Sequence, residues 1–189
     1  MAEARPERVL IDACVLYPSV LREIVLGCAA AGLLRPFWSP RILAEWAHVA
    51  HRRGPAEAEV AASEIARLRS AWPGAEVLPE AEVEAALDLP DRADAHVLAA
   101  AIAADAAVLL TRNLRDFPAR ALAPHGLRAE APDTLLMRLW LAAPTPVEAV
   151  VQAARQEGAR RSGRPQPLRP LLKRAGLPRL GSALQEEGA

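Results

Sequence analysis

Apolar residues along this chain fall into two alternating patterns: short unbroken runs, and longer stretches where they recur at helical spacing. The first run, RVLIDACVL, is rich in Val and Leu and is bounded downstream by YPS, which predicts a short buried strand. PSVLREIVLGCAAAGLL follows with helical periodicity and a Gly near its end, and RPFW reads as a second short strand. SPRILAEWAHVAHRR opens with Ser39 as N-cap and Pro40 at the first helical position, a strong helix start. GPAEAEVAASEIARLRSAW is a further helix closed by Pro73-Gly74, AEVLP a candidate strand, and EAEVEAALDL a short helix ending at Pro90. Either Asp91 or Asp94 then opens the Ala-rich helix AHVLAAAIAADA. The strand AVLLT, the loop RNLRDFP, a last short strand in GLRAEAP and the helix APDTLLMRLWLA complete this part.

Strands separated by helices predict βαβ units and a parallel sheet covered by helices, an α/β fold. In such sheets ligands gather at the carboxyl ends of the strands. Asp12 is expected at that end of the first strand, with Thr111, Asn113 and Asp116 following the end of AVLL. The pattern changes near residue 143. TPVEAVVQAARQEGARR reads as an amphipathic helix, SGRPQP as a linker, and LRPLLKRAGLPRLGSALQ as two short helices around AGLP. Residues 1–142 are expected to form one domain, and residues 143–189 a helical extension packed on it or swapped between copies. There is no internal repeat.

Composition adds little to this. Of 189 residues, 23 are Lys or Arg and 23 are Asp or Glu, so net charge selects no partner. The charges are unevenly placed: Ala153–Ala189 holds eight basic residues against three acidic ones, leaving an acidic body with a basic tail. Cys14 and Cys28 make neither a disulfide framework nor a zinc site and read as buried free thiols. With no signal-like start and no uninterrupted apolar run long enough to span a membrane, a soluble cytoplasmic protein is expected.

Four carboxylates stand out by their surroundings. Asp12 interrupts VLIDACVL, where an unpaired charge costs several kcal/mol and calls for a compensating cation or donors. Glu45 sits among Ile42, Leu43, Trp46 and Val49, Asp94 heads a nearly all-apolar helix, and Asp116 precedes Phe117 in the loop after the strand. Each has a structural alternative: an N-cap for Asp94, a turn for Asp116, a solvated helix face for Glu45. Three of the four nevertheless fall independently at the sheet's carboxyl edge, and Glu45 joins them if its helix packs across it. Oxygen-only ligands suit Mg²⁺ or Mn²⁺ rather than zinc. Such ions can activate water for phosphodiester cleavage and neutralise the mutual repulsion of the carboxylates. No Gly-rich phosphate loop occurs, which argues against nucleoside-triphosphate hydrolysis.

Taken together, LIDACVL, SPRILAEW and DAHVLAAAIAADAAVLLTRNLRDFP resemble a PIN-domain protein of the VapC toxin-ribonuclease type, over roughly residues 7–140. The resemblance implies a three-layer α/β/α domain with a central parallel sheet of 4–5 strands, here followed by the C-terminal helices of a longer branch. It matches Asp12, Glu45, Asp94 and Asp116 to the family's catalytic acids, with Asp12, Asp94 and Asp116 on the metal. Thr111 and Asn113 match its supporting polar pair, and Asp91 is either an outer-shell acid or the true N-cap. His96 is expected as a structural hydrogen-bonder rather than a base, and Arg112 and Arg115 as phosphate contacts or solvated loop residues. The implied activity is Mg²⁺- or Mn²⁺-dependent cleavage of single-stranded RNA, by the toxin of a type II toxin–antitoxin pair. The implied partners are RNA, a small cognate antitoxin and a second copy in a homodimer. The competing reading is a weak or inactive PIN-fold protein that binds RNA through the basic segment Arg155–Arg179.

Overall fold

The computed structural model describes residues 6–186; the ends of the two predicted segments, residues 1–5 and 187–189, lie outside them. Four strands, β1 (Glu7–Ile11), β2 (Leu34–Phe37), β3 (Val108–Leu110) and β4 (Arg128–Glu130), form one all-parallel sheet in the order β2-β1-β3-β4. The consecutive residues Val9, Leu10 and Ile11, like Val108, Leu109 and Leu110, are fully buried. Successive strand residues point to opposite faces, so both faces of the sheet are covered, as a parallel sheet requires. This is the α/β architecture expected, with four strands.

The first crossover comprises α1 (Ala13–Leu16) and α2 (Ser19–Ala30). The second holds α3 (Pro40–His51), α4 (Pro55–Ala71), α5 (Ala81–Ala86) and α6 (Ala95–Ala103), and a short helix α7 (Ala119–Leu122) lies in the third. The chain therefore winds from β1 outward to β2 and then back across β1 to β3. Strand order reverses between β1 and β3, and the crevice outside their carboxyl ends is where such a fold presents a ligand site.

Two expectations need correction. RVLIDACVL is a strand only as far as Ile11; after Asp12 the chain turns into α1, and Val15 and Leu16 are buried from a helix instead. An unbroken apolar run specifies burial, not the backbone that delivers it. AEVLP contributes a single isolated bridge, Trp38 to Glu76, and no strand. Ala75 is the buried member of that stretch, Leu78 is exposed, and one buried side chain is too little to hold a strand against the sheet. The N-cap at Ser39 is as expected: its hydroxyl accepts from Ile42 N at 3.2 Å, with Pro40 opening α3.

After α8 (Pro132–Ala142) come α9 (Pro144–Ser162), α10 (Leu168–Arg174) and α11 (Pro178–Glu186), the three helices read from the sequence beyond residue 143. They do not form a separate core. Val147, Val151, Ala154, Leu172, Leu177 and Leu180 are buried in the same apolar cluster as the strands. Among the described residues no helix is long and apolar enough to cross a membrane.

Candidate active site

Asp12 and Thr111 meet at the point where strand order reverses. Asp12 leaves β1 in extended backbone and donates its N–H to Leu110 O at 3.1 Å, while Thr111 N binds Glu130 O at 3.1 Å. The fully buried Thr111 donates its hydroxyl to Asp12 Oδ2 at 2.7 Å and accepts from Asn113 N at 3.0 Å. Asp12 thus gets the donors its apolar surroundings called for.

A second donor comes from a residue read differently in the sequence. Cys28 is fully buried, as expected, but Cys14 is only half-buried, and its Sγ donates to Asp12 Oδ2 at 3.0 Å. Arg112 N in turn donates to Cys14 Sγ at 3.2 Å. Burial, and then the charge of Asp12, push the Cys14 thiol up to about 12, so it stays a neutral S–H donor rather than a nucleophile. The spacing of Asp12 and Cys14 could have suggested this only if the turn into α1 had been foreseen.

Asp91 and Asp94 separate cleanly. Asp91 Oδ1 accepts from Ala93 N at 2.9 Å and caps the 3-10 turn Arg92–Asp94. Asp94, at the head of α6, caps nothing with its side chain. Its carboxyl is pushed up to about 6, first by burial and then by the charges of Asp116 and Asp12, with Asp116 also hydrogen-bonding it and Asp91 adding repulsion. Asp116 ends the 3-10 turn Leu114–Asp116 and accepts from Asn113 Nδ2. The three aspartates therefore share one electrostatic neighbourhood.

Glu45 approaches from α3. Its side chain is 43% exposed, and Oε1 lies 2.7 Å from Nε2 of His96, the second residue of α6. The alignment is too oblique for a hydrogen bond, and both ring nitrogens of the buried His96 lack a directed partner. The hydrogen bond expected of His96 is thus not made in line.

Asp12, Glu45 and Asp94 line a single cleft of about 840 Å³, together with Arg112 and Asn113. The buried Thr111, the half-buried Asp116 and the exposed Arg115 adjoin these residues in sequence without lining it. Sequence reasoning passed over the rest of the wall: Tyr17, His48 and Arg53 also line the cleft. The helical spacing of Glu45, His48 and Val49 is the signal that points to the first part of it.

A family model of the PIN domain matches residues 8–115, and the chain belongs to that family. No curated protein and no solved structure matches it. PIN domains are typically nucleases and generally use a divalent metal. Among the described residues, no three His, Cys, Asp or Glu side chains stand close enough to hold an ion as they are. Four of these carboxylates are turned to a neutral, basic or backbone partner: Asp12 to Thr111, Glu45 to His96, Asp116 to Asn113 and Asp91 to the backbone. Asp94 instead meets another carboxyl, Asp116, and is raised first by burial and then by an imbalance of negative charge from Asp116 and Asp12. A hard cation answers that imbalance, and the oxygen donors present fit one.

Proposed function

We propose that the chain is a divalent-metal-dependent endoribonuclease that cuts single-stranded RNA, acting in the cytoplasm as the toxin of a type II toxin–antitoxin pair. The observation that carries the nuclease reading is the convergence of Asp12, Asp94 and Asp116 on one edge, with Asp94 pushed up to about 6 by burial and then by the charges of Asp116 and Asp12. On this reading Asp12, Asp94 and Asp116 hold Mg²⁺ or Mn²⁺. A divalent cation bound there neutralises the carboxylates and makes water a stronger acid, the two requirements of phosphodiester hydrolysis.

The chain's own groups have distinct tasks. Thr111 Oγ1 and Cys14 Sγ both donate to Asp12 Oδ2, which fixes that carboxylate in direction. Asn113 does the same for Asp116. Glu45 reaches the cleft from the opposite element, where its carboxylate can take a proton from the attacking water. On this reading Arg112, exposed on the rim beside Asn113, holds a phosphate oxygen. Residues 143–189 are an extension that completes the core. A small antitoxin that occupies the cleft, and a homodimer, are the partners this reading carries.

The test is cleavage of end-labelled single-stranded RNA by the purified full chain. Cutting is expected with Mg²⁺ or Mn²⁺, none with EDTA, and none by Asp12→Asn or Asp94→Asn, which remove charge but keep shape. Variants that cut as well as the parent would refute the assigned site. Tight RNA binding that ignores EDTA and leads to no cleavage would replace the nuclease by a binding module.

A further inference from the structure

The cleft continues past the acids along α3. Helical spacing puts Arg41, Glu45, His48 and Val49 on one face, and all four line it, with Arg53 just beyond the helix end. Tyr17 and Pro18 line it as well. The Arg53 guanidinium lies 5.0 Å from the centroid of the Tyr17 ring. Arg41 is neutralised by Glu84 at 2.8 Å, whereas Arg53, among the described residues, rests on an aromatic face rather than on a carboxylate. The Tyr17 wall is also held in place from behind. Buried Arg22 donates to Leu16 O at 2.6 Å and to Tyr17 O at 3.2 Å, and packs over the Trp46 ring at 4.6 Å.

We propose that Tyr17, Arg53 and His48 form a nucleotide subsite beside the reacting phosphate, one that takes an unpaired base and its phosphate from a single strand. This rests on the nuclease reading for the position of the cut. A half-exposed ring carrying a stacked guanidinium offers a planar face to a base and edge donors to a phosphate, the pairing used by proteins that hold single strands. Pro18 and Val49 give that end apolar walls, which unstacked bases can use and a duplex cannot, because its bases face inward and only its phosphate rails are outside. The acids at one end and the cations at the other give the strand a direction: the phosphate to be cut at Asp12 and Asp94, its neighbour at Arg53.

The experiment uses the full chain and three probes: a long fluorescein-labelled oligouridylate, the uridine dinucleotide, and the same long sequence annealed to its complement. Binding is read by anisotropy in Ca²⁺, and cleavage by initial rates in Mn²⁺. Arg53 is exposed, so Arg53→Gln leaves the fold intact; Tyr17→Leu is the second variant. Each is expected to weaken the long single strand about tenfold, carried by KM rather than kcat, as loss of one stacked base implies. The parent's preference for the long strand over the dinucleotide should collapse by the same factor, and the salt slope of Arg53→Gln should fall by about one. An unchanged preference in both variants, or equal losses on the duplex, overturns the subsite. A parent that binds the long strand through these residues but cuts nothing defeats the nuclease reading and leaves the subsite standing.

Discussion

His96 Nε2 and Glu45 Oε1 sit 2.7 Å apart at the junction of α6 and α3, yet no hydrogen bond joins them in line. His96 is 1% exposed and leaves both ring nitrogens without a directed partner, which is costly for a buried polar group. An apolar residue of similar size suits that position better for folding. His96→Leu is therefore expected to match the parent's stability or exceed it by about 1 kcal/mol, measured by urea denaturation. Cleavage should fall in the same variant, because Glu45 loses the group that faces it. A loss of several kcal/mol in stability would show that the ring nitrogens are satisfied in solution.

Asp94 makes stability depend on pH. Its carboxyl lies at about 6 in the folded chain against an ordinary value of 3.8. The folded state thus holds this proton more tightly than the unfolded one, so the group's unfavourable contribution is absent at low pH. It grows through the window between 3.8 and about 6 and is fully present above it. In EDTA, Asp94→Asn should be more stable than the parent near pH 8, with the gap closing towards about pH 4. Adding Mn²⁺ near pH 8 should reverse the order, because only the parent keeps the ligand. Equal stabilities in EDTA at both pH values would mean the repulsion at Asp94 is relieved by something other than a cation.

The fold was legible because its signals are local. Ser39-Pro40 announces α3, the run VLL marks β3, and the apolar spacing of PSVLREIVLGCAA describes α2. Asp12 and Thr111 could be paired in advance because a parallel sheet with alternating helices brings strand ends to one edge. What stayed hidden depends on contacts between segments far apart. Nothing local distinguishes Asp91 from Asp94 as a cap until the 3-10 turn between them is seen. Cys14 looked like filler because its role depends on the turn after Asp12. Arg53 and Tyr17 are 36 residues apart in sequence and meet only when α3 is laid across the loop before α2.

Asp133 anchors the C-terminal helices to the rest of the core. This buried carboxylate in the first turn of α8 accepts from Arg179 N at 2.9 Å and Leu180 N at 3.1 Å, so it caps α11 from another element. Asp133→Ala leaves two amides without acceptors and should cost about 1–3 kcal/mol. Asp133→Asn, which keeps one acceptor oxygen, should fall between. Hydrogen exchange at the amides of residues 179 and 180 should quicken before that of β1 or β3. If exchange there is unchanged in Asp133→Ala, the contact does not hold α11.

Gly27 tests how closely α9 is seated on α2. It lies inside α2, where Ala is the better helix former by about 1 kcal/mol, so an exposed position would gain from Gly27→Ala. Here an added Cβ would stand 2.5 Å from Val150 Cγ1 and 3.3 Å from Cγ2. Val150 is β-branched and stiff, and cannot easily swing away. Gly27→Ala is therefore expected to destabilise, since overpacking of about 1–3 kcal/mol outweighs the helical gain. Val150→Ala alone loses buried area, but in its presence the Cβ at position 27 meets no clash. The double variant should then be more stable than the sum of the single changes allows, with a coupling of at least about 1 kcal/mol in a double-mutant cycle. A stabilising Gly27→Ala with no coupling would mean that α9 stands away from α2 in solution, and that the extension is not part of the core.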